Sequence, residues 1–224
     1  VWSAVAVIAA RAGAVPARFV RSAESEADAA TPATPRSVAR RRFPWKLFIP
    51  LALLAITGTL VEEVANNWVT LYLSRDLGAA IGLAGIGFAT TLGAQFVGRL
   101  LGDPMTDRWG RDAVARSGGV MIAAGGLLVV LSPYVWLAMV GFAIAGFGTA
   151  TLVPAAYAAS DSLPGVPHGT GVAMLGWWMR LGFLFTSPVV GVIADAVELR
   201  FALLLLVAAG ATATVIGHQL MRRE

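Results

Sequence analysis

Cysteine is missing from this 224-residue chain, which removes disulfides, thiolate metal sites and thiol nucleophiles from consideration. Histidine is nearly missing as well: His168 and His218 lie far apart in sequence, so no histidine-rich metal site is expected. Charge is scarce, at 13% of residues against about a quarter in an ordinary soluble domain, while 57% of residues are hydrophobic. So few ionic groups do not solvate the surface of a soluble domain of this size. Their placement sharpens the point, because residues 117–160 carry no charge and neither do residues 201–217. About 20 apolar residues cross a bilayer, so the first of these stretches holds two spans. Also absent are the GxSxG, HExxH and P-loop patterns of common catalytic sites. Ser160, Asp161 and His168 are close enough in sequence to suggest a triad, but they fall in a Pro/Gly turn at an aqueous edge. Neither enzymatic activity nor a cofactor or metal is expected.

What is present is a series of apolar runs. Residues 1–10 are too short to span and lack the basic region and cleavage site of a signal peptide; they read as the end of a preceding helix in a partial chain. Residues 11–46, with Pro16, Pro32, Pro35 and Pro44, read as a flexible linker ending in Arg40, Arg41, Arg42 and Lys46. Phe43 and Trp45 beside those charges suit an interfacial anchor. Six apolar segments follow at about 47–73, 79–101, 113–132, 134–159, 169–194 and 199–219, and residues 220–224 form a short tail. The expected fold is therefore all-α and integral to a membrane, with a six-helix bundle over 47–219. Ser132, Pro133 and Tyr134 leave room only for a tight hairpin between the third and fourth spans.

Basic residues set the orientation. Fourteen of the seventeen fall in the linker, around the loop between spans two and three (Arg99, Arg108, Arg111, Arg116) or at the C-terminus (Arg222, Arg223). Arg75 and Arg200 lie on the opposite side and Arg180 lies within a span. The positive-inside rule then places linker, that loop and C-terminus in the cytoplasm of a cell whose inner or plasma membrane holds the protein. Because the basic residues sit between apolar runs, the net charge of +4 implies no nucleic-acid partner. Glycines within the second span (Gly82, Gly85, Gly87, Gly93, Gly98) and the fourth (Gly141, Gly146, Gly148) suit close helix packing in lipid.

The most specific local pattern runs from Gly98 and Arg99 through Gly102, Asp103, Asp107, Arg108 and Gly110 to Arg111. Asp107-Arg108-Trp109-Gly110-Arg111 resembles the cytoplasmic loop motif of the major facilitator superfamily: an aspartate, a basic residue, a glycine and another basic residue. The sequence departs from it where Asp103 stands in place of a glycine and Asp112 in place of a second basic residue. The resemblance implies a twelve-helix transporter in which these six spans are helices seven to twelve. It also implies an N-terminal six-helix half, on the same or a separate chain, as partner, and alternating access of a small-molecule substrate across the bilayer. The segment from Glu62 to Leu73 is similar to the start of the second half in fucose-permease-like members. By resemblance the loop motif is a gating latch. Asp107 would sit at the N-terminus of span five, where free amides and the helix dipole favour an anion, and Arg111 would pair with Asp161.

Charges within spans need a reason, since each costs about 2.5–3.5 kcal/mol on insertion scales. Glu62, Glu63, Asn66 and Asn67 lie in span one, and Thr59, Glu62 and Asn66 are spaced to share a face. A low-dielectric cavity favours the protonated form of a carboxylate, which suits proton coupling. Either this face lines a substrate cavity or span one ends early and leaves both glutamates near the outer interface. Arg180 is placed to pair with Glu62 or Glu63, to face the cavity, or to snorkel. Trp177, Gln95 and Tyr157 are further cavity candidates. The function expected is proton-coupled transport of a sugar-like or other polar solute. A non-transporting half that assembles with another chain, and an efflux pump, are the alternatives.

Overall fold

The computed structural model describes residues 43–221, with side chains through His218. The expected stub over 1–10, the linker before Phe43 and the terminal arginines lie outside the described residues. Nine helices occupy the described part, and it contains no strand: α1 (Trp45–Asn67), α2 (Val69–Arg75), α3 (Ile81–Trp109), α4 (Arg111–Leu131), α5 (Val135–Thr149), α6 (Leu152–Asp161), α7 (Thr170–Ala196), α8 (Leu199–Ala202) and α9 (Leu204–Met221). They make six spans long and apolar enough to cross a membrane, α5 with α6 forming one and α8 with α9 another.

The helix breaks have local causes. Pro154 has no N–H for the carbonyl of Ala150 and its ring crowds that carbonyl, so the fourth span breaks at Ala150–Thr151. Pro188, equally expected to bend its helix, is carried inside the unbroken α7. The second span runs eight residues past its expected end, to Trp109, with Pro104 inside it. The motif between spans two and three is thus helical, not a loop, and Gly110 alone forms the joint. Its φ of 82° favours glycine, and α4 starts at the next residue. The Ser132–Tyr134 hairpin forms as expected.

Apolar side chains from the six spans meet in one core that includes Phe48, Tyr72, Ile122, Phe142, Leu175 and Leu206. α4 packs against α9 and α5, α5 against α3, and α1 against α7. Close approach depends on glycine: a Cβ at Gly148 would lie 2.6 Å from the carbonyl oxygen of Gly118, and one at Gly141 would lie 2.8 Å from that of Gly125. Gly82, Gly85 and Gly93 behave differently from expectation, facing open space instead of a neighbour. The helices least covered by the bundle are α3 and α7. At one end, Phe43, Trp45 and Phe48 form an edge-to-face aromatic cluster. We call this the arginine-rich end, because Arg108 and Arg111 lie there too.

The opposite end is tied by Arg200. Its guanidinium donates to the carbonyl oxygens of Val130 at 2.5 Å and Ser132 at 2.9 Å, and the Tyr72 hydroxyl donates to Val129 at 3.0 Å. These contacts fasten α8 and α2 to the end of α4. Arg200→Ala strands carbonyls of buried residues and is expected to cost on the order of 2 kcal/mol, read as a lowered melting temperature in detergent. Beside this knot Trp68, Arg75, Asp76, Asp195 and Glu198 line a cavity of about 620 Å³. Asp76 is exposed as a residue, yet lost solvation of its carboxyl and then the nearby Glu198 carboxylate raise it above the usual aspartate range. A raised folded-state value means that the acid form is favoured by folding. The stability it contributes is complete below the ordinary aspartate range and is lost as pH rises through the raised value. Asp76→Asn is therefore expected to melt higher than the parent at neutral pH, with the gap closing as pH falls below that range.

Candidate functional site

The polar residues of α1 reach two different helices. Glu62 turns toward α3, where Gln95 and Arg99, one turn apart, both donate to its Oε1, at 2.9 and 2.6 Å. Gln95 is buried, while the side chains of Glu62 and Arg99 retain 24% and 53% of their accessibility. Glu63 turns the other way. Its Oε1 accepts from Ser187 of α7 at 2.9 Å and from Asn67 at 2.6 Å, and Asn67 also reaches Ser187 at 3.3 Å. Thr59 is fully buried, facing Gly182 of α7 and donating to Ile56, whereas Asn66 is exposed. Thr59, Glu62 and Asn66 share the side of α1 that their spacing gives them, but they have different surroundings: α7 for Thr59, α3 for Glu62 and open space for Asn66. Consecutive helical side chains point about 100° apart, so the bundle sends neighbours to different partners.

Arg180 does not pair with either glutamate. Its guanidinium lies 5.7 Å from the ring centroid of Trp177, three residues earlier on α7, in a cation–π arrangement. The role expected of it belongs geometrically to Arg99. The reason is the length of α3. A second span ending near residue 101 would leave Arg99 at the water edge, but a helix reaching Trp109 sets it about 15 Å from that end at 1.5 Å per residue. Trp177 is 64% exposed. Tyr157, half-buried on α6, brings its hydroxyl against Gly176 of α7.

The latch is also arranged differently. Asp161 accepts from the Gly169 amide at 3.0 Å, and His168 stands 3.8 Å away. Asp161 ends α6 only eight residues before Gly169, so the intervening turn folds onto its carboxylate and satisfies it locally. Arg111 is not its partner. Arg111 lines a cleft of about 470 Å³ with Arg99, Asp103, Asp107, Thr106 and the α5–α6 junction at Thr151. Asp107 faces this cleft. Gly102 is buried against Thr151, Gly98 against Phe147, and Arg108 is exposed. Ser187 escaped sequence reasoning, since one serine in an apolar helix carries no signal. Arg200 registered there only as a charge between spans.

A bundle of six apolar spans, with an ion pair inside and a charged cleft at one end, defines a membrane protein of the transporter class. The chain belongs to the Major Facilitator Superfamily, whose family model matches residues 51–223. It is 29% identical over 150 residues to an uncharacterized transporter of Sinorhizobium fredii, covering 67% of this chain and 40% of that protein. The chain spans about two fifths of the length of curated relatives that it matches, 39–45%. Its fold is similar to that of the transporter FucP in its outward conformation (TM-score 0.66, 15% identity, 81% of this chain and 43% of that one). It is also similar to the proton:xylose symporter XylE bound to 6-bromo-6-deoxy-D-glucose (TM-score 0.60, 16% identity, 79% and 45%).

Proposed function

We propose that this chain supplies one six-helix wall of a secondary transporter that carries a small polar solute, sugar-like in character, together with a proton. The observation that carries the reading is the Glu62–Arg99–Gln95 cluster: a carboxylate held inside a membrane-spanning bundle, partly open, with a cation and an amide on one of its oxygens. A group of this kind binds and releases a proton with a change in its hydrogen bonding, which ties proton occupancy to helix position. Asn66, Trp177 and Tyr157 offer donors, acceptors and an exposed aromatic face to a hydroxyl-rich solute, and Glu63 with Asn67 and Ser187 braces α1 against α7. That XylE is a proton:xylose symporter supports the solute class.

The opposing wall comes from a second six-helix half, on the same or a separate chain. The relative exposure of α3 and α7 and the span of the relatives support this. The basic residues favour the arginine-rich end on the cytoplasmic side of the cell membrane. The chemistry is transport without covalent change, so no enzyme activity is assigned. The test is solute flux in proteoliposomes holding the intact protein under an imposed proton gradient, screened over pentoses, hexoses, deoxyhexoses and cyclitols. Gradient-dependent flux that disappears in Glu62→Gln supports the reading. Flux indifferent to the gradient removes proton coupling, and no flux of any solute in either direction moves the protein to a non-transporting role.

A further inference from the structure

The α3 face that carries Arg99 joins two places. Gln95, Arg99, Asp103 and Asp107 follow at four-residue steps along one unbroken helix, so their side chains descend one face a turn apart. At its upper end this row meets Glu62, and at its lower end it borders the cleft of about 470 Å³ at the arginine-rich end. Arg99 belongs to both. It holds the Glu62 carboxylate at 2.6 Å and it lines the cleft beside Asp103, with half of its side chain free of packing.

We propose that Arg99 is a two-position cation. It holds Glu62 while that carboxylate is ionised, and it passes to Asp103 in the cleft when Glu62 takes a proton. The proposal rests on the reading of Glu62 as the proton site and states what the proton does there. Ionised Glu62 keeps Arg99 because a charged acceptor makes the stronger hydrogen bond. Protonation removes that charge and leaves a guanidinium within the membrane without its counter-ion, a costly arrangement. Other groups do not take its place. Glu63 is turned to Asn67 and Ser187, Gln95 is neutral, and Arg180 of α7 is a cation seated over Trp177. The nearest carboxylate on the row is Asp103, one turn down, with Asp107 below it and Arg111 as a competing cation in the same cleft. The facing wall of the cleft is uncharged: Ala150, Thr151, Pro154, Ala155 and Ala158. A guanidinium arriving there fills space against α6, and the proton at Glu62 is thereby reported at the helix break that Pro154 creates. Arg99 is a positioning residue in this scheme, and Asp103 is its second station.

Because the chain has no cysteine, one introduced thiol reports alone in this half. The experiment labels Ala155→Cys with a maleimide in the intact protein in membrane vesicles, at one fixed pH. The backgrounds are Glu62 retained, Glu62→Gln as the permanently neutral form, and Glu62→Gln with Asp103→Asn. His168→Cys, on an exposed turn, is the control. Glu62→Gln should slow labelling at position 155 by roughly tenfold, as a shift from a mostly open to a mostly filled cleft would, with position 168 unchanged. Adding Asp103→Asn should restore the rate. Arg99→Lys should keep the slowing and Arg99→Gln should remove it. Equal rates with and without Glu62→Gln, or slowing that persists without Asp103, overturns the exchange. Gradient-driven flux lost in Glu62→Gln without any change in labelling also sinks the exchange but leaves Glu62 as the proton site. Flux that survives Glu62→Gln sinks the proton reading itself.

Discussion

Arg99→Ala should slow proton-driven flux about 100-fold, while Arg180→Ala should change it only a few-fold, in a model where each tenfold is about 1.4 kcal/mol of barrier. The two arginines sit at comparable distances from the arginine-rich end, and in sequence Arg180 was the better candidate. The difference lies in their partners: Arg99 answers the charge of Glu62 at 2.6 Å, and Arg180 lies over an aromatic ring. Removing one member of a fully buried ion pair costs about 3–5 kcal/mol, because the other is left uncompensated. The Arg99 and Glu62 side chains keep 53% and 24% of their accessibility, so solvent screens the pair and the stability cost of Arg99→Ala falls below that range. Without Arg99, the Glu62 carboxylate keeps only the Gln95 amide and loses its counter-ion. The paired variant Glu62→Gln with Arg99→Ala leaves no orphan charge. It should recover expression and thermal stability relative to Arg99→Ala, yet show no dependence on the gradient. Flux in Arg99→Ala within threefold of the parent, measured on matched protein amounts, would remove the ion pair from the mechanism.

The second large effect is on folding. Gly210 of α9 sits where α9 crosses α4, and a Cβ there would lie 2.6 Å from the Gly119 carbonyl oxygen and 2.8 Å from Ala123 Cα. Gly119 and Gly126 face α9 in return, a Cβ on the first coming 2.6 Å from the Thr214 amide nitrogen. These obstacles are backbone atoms, so no rotamer change relieves them and the helices must part. Overpacking costs about 1–3 kcal/mol when a core relaxes, and Gly210→Val adds three carbons at a seam that cannot. Gly210→Val should therefore lose most folded protein in size-exclusion profiles, with the surviving fraction melting well below the parent. Gly85→Ala is the counter-case. A Cβ there meets open space, and alanine is favoured over glycine in a helix by about 0.8–1.0 kcal/mol, so this variant should melt at or above the parent. The same sign for both variants would refute the assigned packing.

Much of this protein is legible in one dimension. The solvent follows from where charge is missing: a charge-free run long enough for two crossings leaves no soluble alternative. The six spans, the hairpin at Ser132–Tyr134 and the family follow from apolar run lengths, turn residues and the Asp107–Arg111 pattern, all of which are local. Membership of the Major Facilitator Superfamily, expected from that pattern, is borne out by the family match. Helix ends were less legible. Asp103, Pro104 and Arg108 look like a loop by composition, yet α3 absorbs them and leaves the reversal to Gly110.

The pairings were decided only by tertiary structure. Glu62 and Glu63 are adjacent in sequence and identical in chemistry, yet one meets α3 and the other α7. A helix turns its side chains through about 100° per residue, so a partner depends on rotation and register that no run of apolar residues records. The end of α3 lies eight residues beyond its expected place, which sets Arg99 about 15 Å from that end, and there it, rather than Arg180, is the cation at Glu62. Asp161 likewise found the nearby Gly169 amide before the distant Arg111. Hydrophobicity along the chain determined that these residues lie in a membrane bundle. Which charge faces which was set by how the helices rotate to bury glycine against backbone, which turns Glu62 to Gln95 and Arg99 and Glu63 to Asn67 and Ser187.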